Sequence, residues 1–487
     1  MSLGKLIAVA STIAALSFVT ACQTVPAKPA AVAPRAVPPG LDPAQRPDPF
    51  ASTYRPAASP AVAIINATVL TATGPLIDGG SVLIRDGKIA AVGRDITIPE
   101  GTRVIDAAGR WVTPGIIDPH AHIGSGSSPG AANGEGGNET GSTAGGIWIE
   151  HAIWPQDPMF ERARAAGVTT LQILPGSSTL FNGRTVTLKN VSSSSTQGMK
   201  FPSAPYGLKM ACGENPTGGP GRPATRAGNM LGYRTTFIAA ADYAQKWADY
   251  HQRASAGQGG DPPKRDLMLE TVGAALRGEI KVHIHCYRAD EMVQMIDLSH
   301  EFRFQIAAFH HATEAFKIAP LLAREKIAVV TWAGDWSGYK MEAYDSIMEN
   351  AAFVAKAGGV AAMHSDNVML LQHLNHEAAR AMTAGREAGL GTTPEEAIRW
   401  LTINPAQIIG VADRTGSLEP GKMADVVLWS ADPFSVYSMP DLVFIDGVLV
   451  QDRAAPSQAP ASDFELGNVR RPIPPPRPAP EGLGSAP

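Results

Sequence analysis

The 487-residue sequence is poor in cysteine (three), poor in aromatic residues (6%) and close to charge balance, with 41 Lys and Arg against 45 Asp and Glu. The net charge of -4 gives no reason to expect nucleic acid as a partner. Three cysteines allow one internal disulfide at most. Few aromatics accompany 49 Gly and 40 Pro, which points to many loops and some unstructured segments. The remaining composition, 44% hydrophobic and 18% charged, is that of a globular protein. The length implies more than one domain.

Residues 1–22 form a distinct object. Lys5, an apolar run and small residues before Cys22 make a secretory signal, too short and wrongly flanked for a spanning anchor. "VTAC" resembles a bacterial lipobox, which implies a lipid on Cys22 as the mature N-terminus. Gln23 stands where an Asp would resemble an inner-membrane retention signal, so the expected place is the periplasm, lipid-anchored at the outer membrane. Membrane contact then runs through the lipid only. Residues 23–60 are Pro/Ala-rich and read as an extended tether, and 454–487 have the same character. Cys212 and Cys286 read as two small buried thiols, although the oxidising compartment permits a disulfide.

Residues 61–110 are rich in Val, Ile and Thr with Asp-Gly and Gly punctuation. "IRDGKI" is a hairpin signal, because Asp-Gly supplies the positive φ of a tight turn. "VFIDGVLV" in 411–453 repeats it, so β material flanks the centre on both sides and the flanks are expected to pair. Over 111–410, eight apolar runs alternate with helical stretches such as "MFERARAAG" and "ADEMVQMIDLSHEF". Strands alternating with helices imply βα units and a parallel sheet, here an α/β fold of the (β/α)8 TIM-barrel type. The run "TPEEAIRWLTINPAQIIG" reads as a helix capped by Thr393, with Pro394 at its first position and Glu396 completing a capping box.

Seven of the 12 histidines fall at the C-terminal ends of four of these runs: His120 and His122, His283 and His285, His310 and His311, and His364. Active sites of such barrels are built at those ends. Alternation on a strand lets His120 and His122 both face inward, and likewise the second residues of "HIH" and "HSD", His285 and Asp366. Neutral imidazoles suit zinc and similar metals. His283 and His364 lie one layer deeper and read as partners that orient the ligands, or as hydrogen-bonded core histidines. His310 and His311 are adjacent, and periodicity does not choose between them.

"GRWVTPGIIDPHAHIG", a His ending a later strand, another on the next and a terminal "SD" resemble the amidohydrolase superfamily. The resemblance covers about Ala61 to Arg453 and makes the flanking β material similar to that family's split β-sandwich domain. "INPAQIIGV" with "TGSLEPGKMAD" resembles the imidazolonepropionase-like and Xaa-Pro or Xaa-Arg dipeptidase branch. It implies that His120 and His122 hold one divalent metal, that His285 and His311 hold a second in binuclear members, and that Asp366 binds metal and moves a proton. The small residue after His311 favours it over His310. For the bridging ligand on the fourth strand, "GLKMACGENP" offers Lys209, which would need carboxylation, or Glu214; "GENP" departs from the dipeptidase pattern.

The expected chemistry is hydrolysis of a C–N bond in a small-molecule amide, a dipeptide or a cyclic amide. A bound zinc lowers the pKa of its water and polarises the carbonyl, and Asp366 passes a proton to the leaving nitrogen. Tyr287 and Arg288 read either as contacts to a substrate carboxylate or as a local helix start. Two other readings stand beside this one: a deaminase of a heterocycle, and a catalytically silent, surface-anchored binding protein. The Gly/Ser/Asn-rich segment 124–146 reads as a lid over the mouth or a disordered insertion. The substrate, the number of metals and the oligomeric state, a homo-oligomer included, are left open by the sequence.

Overall fold

The computed structural model describes residues 37–45, 48–126, 144–334 and 336–455. Strands β1 (Val62–Val69), β2 (Ile77–Arg85), β3 (Lys88–Gly93), β4 (Arg103–Asp106) and β5 (Trp111–Pro114) precede the barrel. The barrel strands are β6 (Ile116–Ala121), β7 (Val168–Ile173), β8 (Phe181–Lys189), β9 (Gly207–Ala211), β10 (Lys281–Cys286), β11 (Ile306–His311), β12 (Ala328–Thr331) and β13 (Ala361–Met363). They form one eight-stranded sheet in chain order. All eight runs marked in the sequence are therefore barrel strands. The first and last adjoin, with Ser365 N donating to Asp118 Oδ1 (3.3 Å) and Asp366 N to His120 O (3.0 Å).

The expectation of eight parallel βα units needs one correction. β8 runs antiparallel to both neighbours, β7 and β9. The connection from β7 to β8, residues 174–180, is too short for a crossover, since parallel strands need a dozen or more residues between them. Helices follow the other strands: α1 (Pro158–Ala165), then α2 (Arg226–Ser255) and α3 (Leu267–Leu276), α4 (Ala289–Phe302), α5 (Ala319–Glu325), α6 (Asn350–Lys356) and α7 (Leu374–Glu387). Thr393 caps α8 (Pro394–Arg399) as expected, its side chain accepting from Glu396 N at 3.3 Å. The helix then breaks and restarts as α9 (Ile403–Ile409), two helices where the pattern suggests one. Pro405 accounts for the break, because the residue before a proline is disfavoured in the α region and a proline is tolerated only in a first turn.

Strands β14 (Val426–Trp429), β15 (Pro440–Ile445) and β16 (Val448–Asp452) join β1–β5 in a second sheet, through antiparallel pairing of β14 with β5. Both flanks thus pair as expected, and β5 belongs to them, which moves the boundary with the barrel from residue 111 to Gly115. The sheet has its own apolar cluster, built on Ile64, Val82, Ile84, Val112, Val426, Leu428 and Phe444. Both Asp-Gly turns carry positive φ at each central residue: 53° and 73° at Asp86-Gly87, 47° and 74° at Asp446-Gly447.

The tether reading of 23–60 holds for none of its described later part. His251 Nε2 lies 3.1 Å from Asp42 Oδ1, Thr53 N donates to Gln197 O (3.0 Å), and Tyr54 donates to Asp446 (2.5 Å). The free-thiol reading is also corrected. Cys212 and Cys286 form a disulfide, with Cα atoms 5.2 Å apart. Register explains it: His285 pairs with Ala211, and Cys212 N donates to His285 O (2.8 Å), so the next residues on the two strands meet. The signal, Cys22, the tail beyond 455 and the segment 127–143 lie outside the described residues.

Candidate metal centre

At the C-terminal ends of the parallel barrel strands, inward-facing residues converge. His120 and His122 leave β6 with their Nε2 atoms 3.2 Å apart. Asp366 Oδ1 stands 3.3 Å from His120 Nε2 and 3.2 Å from His122 Nε2. Lys209 from β9 points its Nζ at His120 Nε2, 3.2 Å away. His122 Nδ1 lies 2.8 Å from Leu174 O, which fixes its ring. His120, His122 and Asp366 form one compact donor set, and His120, His311 and His364 form another.

The pair on β11 behaves as no regular strand would. His311 has a φ of 69°, followed by Ala312 at 41°. This left-handed kink breaks the alternation, so both histidines turn inward. His310 joins a relay below the site: Gln172 Nε2 lies 3.4 Å from His283 Nε2, His283 Nδ1 is 2.9 Å from His310 Nε2, and His310 Nδ1 is 3.0 Å from His120 Nδ1. His283 thus reaches His120 only through His310. Gly207 makes room for it; a Cβ there would come within 2.7 Å of the His283 ring. His311 belongs to the mouth, its ring 4.4 Å from His285 and 5.0 Å from His364.

His364 differs from the deeper, orienting role expected of it. Neither of its ring nitrogens has a hydrogen-bond partner, and the same is true of both nitrogens of His285 and of His311 Nδ1. A shielded polar atom left unpaired costs about 1–3 kcal/mol, so such atoms in one cluster call for a common partner. Burial holds His120, His285, His310 and His311 well below the usual imidazole range, with the Lys209 ammonium adding to it in each. His283 and His364 are lowered to about 3 for the same first reason. The imidazoles are therefore neutral, with lone pairs free for a cation. Burial likewise brings Lys209 down to about 7. At Asp366 burial pushes upward, but the His122 hydrogen bond and the neighbouring basic groups, Lys209 among them, leave the carboxyl below its ordinary value. Behind the site, Asp118 is raised to about 7 by burial, although it accepts from Ser365 and from His120 N. The donor set of neutral imidazoles and a carboxylate fits a divalent metal.

Two of the sequence candidates lie elsewhere. Glu214 is at the rim, its carboxylate 3.2 Å from Lys340 Nζ. Arg288 is spent on Asp290, at 2.9 and 3.0 Å, where α4 begins. Tyr287 is at the site, stacked on His311 with ring centroids 5.2 Å apart. The sequence reading missed Trp332, whose ring lies 4.6 Å from both His311 and His364. The available signal was "TWAGDWSGYK", two of the chain's few tryptophans directly after a barrel strand.

The profile of the amidohydrolase family matches residues 343–450. The crystal structure of an amidohydrolase from Thermotoga maritima MSB8 superposes with a TM-score of 0.72 at 34% identity, over 80% of this chain and all (100%) of that one. Amidohydrolase tasK of Hapsidospora irregularis is 31% identical over 430 residues, 82% of this chain but 42% of that protein, so this chain spans less than half of that relative. An imidazolonepropionase of Cupriavidus necator is 26% identical over 398 residues, 73% of this chain and 85% of that enzyme. This chain belongs to the amidohydrolase family. The likeness to imidazolonepropionases agrees with the branch that "INPAQIIGV" and "TGSLEPGKMAD" suggested.

Proposed function

We propose that the protein is a divalent-metal-dependent hydrolase that cleaves the C–N bond of an amide, in a dipeptide or a cyclic amide. The observation that carries this reading is the set of unpaired, shielded ring nitrogens on His285, His311 and His364 beside His120, His122 and Asp366. His120, His122, His285, His311 and Asp366 would hold the metal, zinc by the chemistry of its donors. A bound divalent metal polarises the carbonyl and acidifies water.

The chain's own residues supply the rest. Asp366 Oδ1, already held by His122, takes the proton of the attacking water and delivers it to the leaving nitrogen. The relay from Gln172 through His283 and His310 holds the His120 ring in one orientation. Lys209 is the bridging candidate once carboxylated, since Glu214 is engaged by Lys340. We read the flanking sheet as the small sandwich of the family, with its own cluster as core.

The test is metal analysis of soluble protein lacking residues 1–36, with a panel of dipeptides and lactams. Metal-dependent hydrolysis is expected. Ammonia release without amide cleavage would instead point to a deaminase, and neither bound metal nor turnover would leave a silent binding protein. We propose separately that Cys22 carries a lipid anchoring the protein in the cell envelope. Cys22→Ser should then release the protein from membranes, and retention would contradict it.

A further inference from the structure

The loop after β12 carries chemistry that the hydrolysis scheme does not use. Trp336 stacks on Trp332 with ring centroids 4.5 Å apart, and Tyr339 continues the row edge-on at 5.8 Å. The indole N–H groups of Trp332 and Trp336 are shielded and have no hydrogen-bond partner among the described residues. Lys340, from the same loop, sets its ammonium 4.1 Å from the centroid of Tyr287, the ring that stacks on His311. An aromatic wall, two unmatched donors and one cation therefore stand over the histidine cluster.

The partners of Lys340 are unequal. Asn215 Oδ1 lies at 2.7 Å, and Glu342 and Glu214 each offer a carboxylate oxygen at 3.2 Å. Glu342 is buried and fixed, accepting from Glu214 N (2.7 Å) and pairing with Arg226 (2.5 Å). Gly213 permits this approach, because its φ is 74° and a Cβ would come within 2.5 Å of Glu342. Glu214, in contrast, leaves 43% of its side chain exposed. A carboxylate thus already sits on the ammonium at a solvent-exposed position.

We propose that Lys340 selects a substrate carboxylate, which displaces Glu214 from the ammonium, while Trp332 and Trp336 pack a flat apolar group and donate to its acceptors. The proposal rests on the hydrolase reading and narrows its substrates to amides that carry a free carboxylate, N-acyl amino acids and dipeptides among them. It also relocates the carboxylate contact from Arg288, which Asp290 occupies, to Lys340 beside the Tyr287 ring. The competing role for Lys340 is a clamp between residues 213–215 and its own loop.

Binding of N-acetyl-L-phenylalanine and of N-acetyl-L-phenylalaninamide, followed by tryptophan fluorescence in metal-free protein, separates the two roles. The acid should bind about 10–100-fold tighter than the amide, the range of a charge-assisted hydrogen bond. Lys340→Met should abolish that preference and leave the affinity for the amide unchanged, while Lys340→Arg keeps most of it. Equal binding of acid and amide, binding of neither, or an equal loss for both in Lys340→Met would overturn the proposal. In the active enzyme the same preference should appear in KM rather than kcat. An intact acid preference without any turnover would remove the hydrolase reading and keep the subsite. Turnover without acid preference would remove the subsite alone.

Discussion

Lys189 and Lys209 are both fully buried, on the adjacent barrel strands β8 and β9, yet their surroundings are opposite. Because β8 runs backwards, its last residue, Lys189, lies at the far end of the barrel from the histidines. There its ammonium meets both oxygens of Asp425 at 2.8 Å and Asp446 at 3.2 Å. Thr415 donates to Asp425 (2.6 Å) and Tyr54 to Asp446 (2.5 Å), so the charges and their neighbours are matched. Lys209 has a histidine nitrogen at 3.2 Å and, among the described residues, no carboxylate within salt-bridge distance. Burial lowers it to about 7. One lysine completes a polar network that ties the barrel to the flanking sheet. The other is held among groups that still lack partners, as expected of a binding centre rather than a structural one.

Substitutions should widen this contrast. Asp366→Asn should lower kcat/KM by about 10²–10⁴-fold while thermal unfolding stays near that of the wild type. Lys189→Met should do the reverse: two buried carboxylates lose their counter-charge, at about 3–5 kcal/mol of stability in denaturant titration, with activity per folded molecule kept. Lys209→Met should abolish turnover without that loss of stability. Equal destabilisation by both lysine changes would erase the distinction between the two regions.

The disulfide lies between the two effects in size. Cys212→Ser opens a link across 74 residues and should cost about 2–4 kcal/mol. Chemical denaturation with and without reductant checks it, since reductant should destabilise the wild type and leave the variant unaffected. The smallest effect is one of pH. Burial first, then the Asp425 charge, raises the Asp446 carboxyl above its ordinary value. The folded state then binds more protons than the unfolded one just above the usual Asp range, so this group's contribution to stability falls as pH rises through that window. Asp446→Asn removes the slope. The stability of wild type minus Asp446→Asn should therefore decrease from acid pH upward, and a difference that stays flat or grows would contradict the assignment.

Much of this arrangement could be read from residue order alone. Two-residue alternation on "HAH" and "HIH" is a local property, so it identified inward-facing histidines without a structure. Direction is not local: β8 has the same apolar pattern either way, and the seven-residue connection before it was the available clue. His310 and His311 could not be separated because two successive left-handed residues, His311 and Ala312, override alternation. The disulfide depended on the register between β9 and β10, which composition does not encode. Trp332 and Trp336 were missed, since an aromatic residue after a strand does not by itself say what it packs against. Residues 48–60 look like a Pro-rich tether, and their docking depends on distant partners such as Asp446.

The central assignment, that the unpaired histidines form a metal centre, is tested most directly by calorimetric titration of metal-free protein with zinc. Saturable binding with a Kd in the micromolar range or tighter is expected, with an integral number of ions per chain, and it should weaken or lose an ion per chain in His285→Ala/His311→Ala. Absence of binding, or binding unchanged in affinity and stoichiometry in this double variant while the protein stays folded, would contradict it.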